Sequence, residues 1–299
     1  MATTQKAGLI SAGLLLASAI LLAAAQSPDA HPVPLHVTVT DDLGRLVTDL
    51  PSGAFQIFED KVPQPIVSFS RDDAPLSIGI VFDTSASMGN TLEQSQSAIK
   101  ALFSTANPED EAFLVEFGDR PELAAPMTHD LNWIQSRLAA AEPRGRTALP
   151  DGIYLALDTL KAAHNPRKVL IVISDGADTS SRYKASEVAN LIGEANVQIY
   201  TAAVFGSAGR TRGPEVLAGS EMLRALSEPT GGRHFLVESP GELRDIGAKI
   251  GMELRSQYAV GYTPTNQARD GKYRRITVKL AGPQGLRAFW KTGYFAPAR

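Results

Sequence analysis

The spacing of apolar residues divides the chain into two kinds of region. Between residues 76 and 254, short aliphatic runs alternate with stretches in which apolar residues recur at helical spacing. The run 168–173 is almost entirely aliphatic, which is typical of a strand covered on both faces. Strands that alternate with helices predict a mostly parallel sheet wrapped by helices. The predicted strands are 76–82, 111–117, 168–173 and 197–204, and the predicted helices are 91–105, 131–141, 149–163, 185–195, 221–226 and 240–254.

The two ends of the chain show a period of two instead. Residues 35–40 and 273–280 alternate apolar and polar side chains, as strands with one buried face do. Each end alone has too few strands for a core of its own, so we expect the two ends to pack together as a small β-sandwich. The remaining predicted strands of this module are 55–59, 65–69, 257–262 and 286–295. The predicted division is a signal at 1–25, β segments at 26–75 and 255–299, and an α/β domain at 76–254.

The first 25 residues have the pattern of an export signal. A single Lys6 precedes the uncharged run 7–25, and the small residues 23–25 offer a cleavage site before Gln26. The run also approaches membrane-spanning length and would then stay as an anchor, but its Ala, Ser and Gly content favours cleavage. We expect the mature chain to be periplasmic, cell-surface or secreted, with no membrane insertion unless the signal is retained.

Composition excludes several classes of function. The 299 residues include no Cys, which excludes disulfides, a thiol nucleophile and a Cys-based zinc site. The net charge of −3 argues against a nucleic-acid partner, because such proteins usually carry a basic excess. The five His residues show no metal-ligand spacing, and there is no nucleophile elbow or phosphate-binding loop.

Oxygen-bearing side chains follow the predicted strands at three places. Asp83, Ser85 and Ser87 come directly after the run 76–82, and alternate residues of an extended segment point the same way. A loop adds Thr147, and Asp175 follows the run 169–173 after one serine. Ligands gather at the carboxyl ends of parallel strands, and Mg²⁺, Mn²⁺ and Ca²⁺ prefer such oxygens. We therefore predict a divalent cation site from these five residues. The alternative for 83–87 alone is a helix-capping turn with Ser87 as N-cap.

The segment 78–89 resembles the opening of a von Willebrand factor type A (vWA) domain. The metal-ion-dependent adhesion site (MIDAS) of that family uses Asp-x-Ser-x-Ser, a later Thr and a later Asp, and all five positions match here. The resemblance covers residues 76–254 and implies a doubly wound, Rossmann-like α/β fold. It also implies a Mg²⁺ or Mn²⁺ completed by a partner's Glu or Asp. Ser85, Ser87 and Thr147 would contact the metal directly, with Asp83 and Asp175 acting partly through water.

The flanking segments are similar to those of secreted bacterial proteins that carry a vWA domain. Those proteins have Gly-Arg-x-Val near the start and Gly-Tyr-x-Pro near the end, which correspond here to 44–47 and 261–264. This second resemblance is less specific and implies no function of its own.

Together these patterns predict an exported binding module rather than an enzyme. It would dock an Asp or Glu of another protein through the cation, with no catalytic residue. One alternative is a structural subunit of a cell-envelope assembly in which the metal mainly stabilises the fold. A hydrolase is the minor alternative, because phosphatases with an Asp after a strand generally have a second Asp where this chain has Ser85. Four arginines near the site are interpreted as solvated loop charges: Arg144, Arg146, Arg210 and Arg212.

Overall fold

The computed structural model describes residues 32–176, 178–205, 214–282 and 284–298. The strands are β1 Val33–Thr40, β2 Phe55–Glu59, β3 Val62–Gln64, β4 Ile66–Asp72, β5 Leu76–Asp83, β6 Glu111–Phe117, β7 Pro121–Thr128, β8 Arg167–Ser174, β9 Val197–Val204, β10 His234–Val237, β11 Gln257–Tyr262, β12 Tyr273–Leu280, β13 Arg287–Phe289 and β14 Gly293–Phe295. The α-helices are α1 Leu92–Phe103, α2 Leu131–Ala139, α3 Leu149–Thr159, α4 Ala185–Glu194, α5 Pro214–Ser227 and α6 Leu243–Arg255.

A six-stranded mixed sheet forms the centre of the α/β domain. Its order is β10-β9-β8-β5-β6-β7, and every neighbouring pair is parallel except β6 and β7. The chain passes from β5 to β6 on one side and later returns to β8 on the other, so the strand order reverses at β5. Ligands bind at such a reversal, outside the carboxyl ends of the strands. The predicted α/β fold class is confirmed.

Helices cover both faces of this sheet and enclose two separate cores. Ile80 and Phe82 of β5 point into the core that contains buried residues of α1, α2 and α6. Val81 points to the opposite face, into the core that contains buried residues of α3, α4 and α5. Burial on both faces explains why β5 is almost entirely apolar between Ser77 and Asp83.

Strands from the two ends of the chain share two further sheets. These have the orders β13-β1-β11-β4 and β14-β12-β2-β3, and each pairs strands from before and after the α/β domain. One apolar cluster joins them, with Leu35 and Val260 from the first sheet and Ile57 and Val278 from the second. The two sheets thus form the β-sandwich. Whether 76–254 folds without the sandwich stays a prediction.

Several elements differ from the predicted ones. The strand predicted over 286–295 is wrong: it divides into β13 and β14, which lie in different sheets because the chain crosses between them. The edge strand β7 was not predicted, because its two prolines are not typical of a strand. An edge strand tolerates proline because only one of its sides forms ladder hydrogen bonds. The short strands β3 and β10 were also missed. Helix α5 begins seven residues before the predicted start at residue 221.

Within the described ranges, no helix has the length and apolar character needed to cross a membrane. The predicted export signal lies outside the residues that the structure describes.

Candidate metal centre

Two adjacent strands bring the first and third predicted loops together. Phe82 of β5 lies opposite Ile173 of β8, so Asp83 and Ser174 follow side by side. Ser174 Oγ donates a hydrogen bond of 2.5 Å to Asp83 Oδ2, and the Ser85 amide donates one of 2.8 Å to Asp83 Oδ1. Asp83 is fully buried. Both of its oxygens are therefore held by the protein.

The two serines of the first loop are spaced like neighbouring metal ligands. Ser85 Oγ and Ser87 Oγ lie 3.0 Å apart. Mg²⁺ takes near-octahedral oxygens at about 2.1 Å, which places adjacent ligands about 3.0 Å apart. Ser85 is buried while Ser87 is exposed, so the pair connects the interior of the centre with solvent.

The helix-capping alternative for Ser87 is wrong. A short 3₁₀ helix covers Ala86–Met88, and the residue at its N-cap is Ser85, without a side-chain capping bond. Helix α1 begins only at Leu92, after Thr91. The Ser87 hydroxyl is consequently not engaged as a cap at either helix.

Backbone hydrogen bonds join the first loop to the second. The Ala86 amide donates to the Gly145 carbonyl at 3.2 Å, and the Arg144 amide donates to the Thr84 carbonyl at 2.7 Å. Gly145 has a φ of +74°, and a Cβ there would lie 2.5 Å from an Asp119 oxygen. This close approach explains why glycine precedes the segment that carries Thr147.

The second loop is joined in turn to the third. Thr147 is buried, and its carbonyl accepts hydrogen bonds from the amides of Thr179 at 2.8 Å and Ser180 at 3.0 Å. Its own amide donates to Thr179 Oγ1 at 3.0 Å. These bonds hold the Thr147 backbone from both sides. Sequence reasoning missed Thr179 and gave Ser174 no role, because both act across the fold rather than along the chain.

The charge of Asp175 and burial both act on Asp83. Asp175 is half-buried and directly follows β8. The pKa of Asp83 is raised to about 6, mainly by burial and also by the charge of Asp175, while hydrogen bonds from Ser174 and Ser85 act in the opposite direction. An anionic site that burial disfavours to this degree is suited to a cation.

The donor set fits a hard divalent ion only if the hydroxyls take part. Among the described residues, no group of three or more His, Cys, Asp or Glu could hold a metal ion. Two carboxylates with three hydroxyls, from Ser85, Ser87 and Thr147, are all oxygen donors of the kind that Mg²⁺, Mn²⁺ and Ca²⁺ accept.

Two further acidic residues fasten the third loop to helix α3. Asp151 is buried and accepts hydrogen bonds of 2.9 Å from the amides of Arg182 and Tyr183. Asp178 accepts one of 3.3 Å from the amide of Leu149, at the start of α3. Their oxygens are thus used in holding the loop in place.

The rim of the centre carries exposed arginines. Arg144 and Arg146 are both exposed, and Arg146 Nε lies 3.5 Å from Asp119 Oδ1. Arg210 and Arg212 lie outside the described residues.

Residues 78–177 match the family model of the von Willebrand factor type A domain. This segment is a vWA domain. The matched range includes all five predicted metal-site residues. A von Willebrand factor type A structure from Catenulispora acidiphila has a TM-score of 0.52 at 11% identity, covering 91% of this chain and 75% of that one.

Two other similarities extend beyond the matched segment. The PilB minor pilin from Streptococcus sanguinis has a TM-score of 0.50 at 12% identity, covering 62% of this chain and 63% of that one. An uncharacterised protein from Borreliella burgdorferi is 27% identical over 213 residues, which is 62% of each chain. This chain therefore spans less than two thirds of that relative, and the structural likenesses show the fold alone.

Proposed function

We propose that this protein is an exported binding module whose vWA domain holds a divalent cation and docks an acidic side chain of another protein. The observation that carries this proposal is the junction of the three loops. Hydrogen bonds join the loops that carry Ser85, Thr147 and Asp175 to one another beside the carboxyl ends of β5 and β8. A loose set of Ser and Asp turns would not require such bonds.

Each residue of the centre has a distinct part in this proposal. Ser85, Ser87 and Thr147 would bind the metal through their hydroxyls, and Asp83 and Asp175 would balance its charge. The bound ion, Mg²⁺ or Mn²⁺ with Ca²⁺ also acceptable, supplies a positive charge that a carboxylate oxygen of a partner can approach. The exposed Ser87 marks the side open to that partner.

The geometry of Asp83 argues against a hydrolase. A carboxylate nucleophile needs an oxygen that can reach a substrate. Both oxygens of Asp83 accept short hydrogen bonds, and the residue has no exposed surface. We therefore propose binding rather than catalysis.

One observation favours the structural-subunit alternative. Asp83, Ser85 and Thr147 are all nearly inaccessible to solvent. A metal held by them would also stabilise the contact between the loops. In that case the metal would raise stability without mediating a contact to a partner.

Thermal unfolding of the full chain tests the metal. The protein would be melted in EDTA and then with Mg²⁺, Mn²⁺ or Ca²⁺, next to Asp83→Asn and the matched control Asp158→Asn, an exposed acidic residue of α3. A metal concentration of 100 times Kd adds about 2.7 kcal/mol to the free energy of unfolding. We expect the melting temperature to rise in the wild type and the control but not in Asp83→Asn.

Retention on immobilised peptides separates docking from stabilisation. A glutamate-rich peptide and the same peptide with glutamine would be compared in Mg²⁺ and in EDTA. Retention that needs both glutamate and metal supports docking. A metal-stabilised protein that neither peptide retains would favour the structural subunit, and no response to any metal would refute the centre.

A further inference from the structure

The seam between the α/β domain and the β-sandwich contains two adjoining pockets. We define the seam as the contact of residues 229–232 with residues 290–292. The backbones of Thr230 and Lys291 form an antiparallel bridge there, and the Thr292 amide donates to the Pro229 carbonyl at 2.9 Å. Thr230 and Lys291 line both pockets. The two pockets therefore adjoin at Thr230 and Lys291, and backbone hydrogen bonds hold this contact in place.

The smaller pocket is basic and has a volume of about 40 Å³. A cavity needs only about 10–15 Å³ by this measure to hold one water, so a carboxylate group fits. None of its described lining residues is acidic. Besides Thr230, the polar side chains that line it are Lys291, Lys168, Arg167, His36, Asn196 and Gln198.

Cationic charge in this pocket exceeds the acidic charge that compensates it. Arg167 is buried and shares a single carboxylate, Asp72, with His36, at 3.0 Å and 2.7 Å. Its Nη1 is a buried donor with no hydrogen-bond partner among the described residues. Lys291 has no carboxylate within ion-pair distance in the described part of the chain, and its Nζ donates only a 3.3 Å bond to Asn196. Burial lowers the pKa of Lys291. The pocket thus lacks a negative group.

The larger pocket is mainly apolar and has a volume of about 140 Å³. An apolar cavity of about 150 Å³ can hold benzene, so this pocket has room for one ring or a short branched chain. Its apolar side comes from helices α4 and α5 and the loop after α5, and its other side from the sandwich. The side chains concerned are Ala189, Ile192, Ala225, Leu226, Pro229 and Tyr273.

We propose that the seam binds a small organic carboxylate. The carboxylate would lie in the basic pocket against Lys291, and the apolar body would fill the larger pocket. The complementary charge identifies the anionic end, and because Thr230 and Lys291 line both pockets, a ligand that occupies both would contact these two residues. This site is separate from the metal centre and does not rest on the function proposed above.

Benzoate is the probe for this site, with acetate and phosphate as matched anions that lack the apolar body. Each would be titrated into the full chain in EDTA, following the backbone amide NMR signals of Thr230, Gly231 and Gly232. We expect saturable shifts with benzoate. Acetate should bind at least about tenfold more weakly, because it buries no ring.

Variants of the two pockets separate their contributions. Lys291→Met should weaken benzoate binding about tenfold, the factor expected for loss of one hydrogen bond to a charged group, while Lys291→Arg should retain it. Ala225→Leu starts from an exposed helix position, fills the larger pocket and should remove the preference for benzoate over acetate. The exposed Lys272→Met is the control and should bind as wild type. Asp83→Asn should also bind benzoate normally, so failure of the metal centre leaves this test intact.

Three results would overturn the proposal. They are no saturable shift at the seam, phosphate binding as tightly as benzoate, and unchanged benzoate affinity in both Lys291→Met and Ala225→Leu. If Lys291→Met does not fold, Ala225→Leu alone decides the outcome.

Discussion

Strand β5 connects two buried carboxylates that the protein treats differently. At its amino end, Asp110 accepts the Leu76 amide at 2.8 Å and pairs with the guanidinium of Arg255. At its carboxyl end, Asp83 accepts hydrogen bonds from Ser85 and Ser174, and no Lys, Arg or His lies within ion-pair distance among the described residues. Asp110 is thus paired with a cation of the chain, whereas Asp83 receives hydrogen bonds only from neutral donors.

Pairs of a buried acid and an arginine, like Asp110 and Arg255, also occur where the α/β domain meets the sandwich. Arg167 pairs with Asp72, and Arg233 pairs with the fully buried Glu253. These pairs join helix α6 and strand β8 to neighbouring elements. Four measurements would test the contrast between the two ends of β5.

Removing Asp110, the acid at the amino end, should destabilise the fold. Asp110→Ala leaves Arg255 without its buried partner and two amide donors without an acceptor. We expect the free energy of unfolding to fall by about 3–5 kcal/mol. Urea unfolding measures it, with the exposed pair partner Asp158→Ala as a control that should change stability by less than about 1 kcal/mol. A loss of stability in Asp110→Ala as small as that in the control would contradict the proposed difference between Asp110 and Asp83.

Neutralising Asp83, the acid at the carboxyl end, should increase the free energy of unfolding in the absence of metal. Asp83→Asn removes a charge that burial disfavours, and a pKa raised from 3.8 to about 6 corresponds to about 3 kcal/mol at most. We expect the variant in EDTA at pH 8 to be more stable than wild type by about 1–3 kcal/mol. The same urea unfolding measures this. A destabilised variant would mean that the Asp83 charge is already compensated within the chain.

The pH dependence of the metal response follows from the same pKa. The folded-state pKa of Asp83 lies above the ordinary 3.8, so protonated Asp83 favours the folded state. In EDTA this stabilising contribution to the free energy of unfolding is fully present below pH 3.8 and is lost as pH rises through about 6. A metal must displace that proton, so its affinity should fall about tenfold per pH unit below about 6. Melting temperatures with and without Mg²⁺ at pH 5 and pH 7.5 measure this. An equal metal increment at both values would exclude Asp83 from the centre.

The exposed Ser87 should affect the affinity for metal but not the stability of the metal-free protein. Ser87→Ala removes one hydroxyl donor at a surface position, so we expect unchanged stability in EDTA, within about 0.5 kcal/mol. Metal affinity should fall about tenfold, which corresponds to about 1.4 kcal/mol. Calorimetric titration with Mn²⁺ measures it, and Ser186→Ala on helix α4, also exposed, is the control. Identical affinities in the two variants would exclude Ser87 as a ligand.

Much of the fold could be predicted from local patterns. The central parts of β5, β6, β8 and β9 are buried on both faces, so they are mostly apolar and are recognised in the sequence alone. Helix α5 was predicted too short, and the edge strand β7 was missed, because an edge strand with prolines lacks the continuous apolar signal of a central strand.

The set of oxygen donors at the ends of the strands is visible in the sequence alone. Asp83, Ser85 and Ser87 are two residues apart in one loop, so their relation is local and visible along the chain. The tertiary structure alone decided that Ser174 and Thr179 hold this centre, that the two ends of the chain share two sheets, and that Lys291 lies between two pockets. Those relations join residues far apart in the sequence. Periodicity reports which face of an element is buried, but not which distant segment covers it.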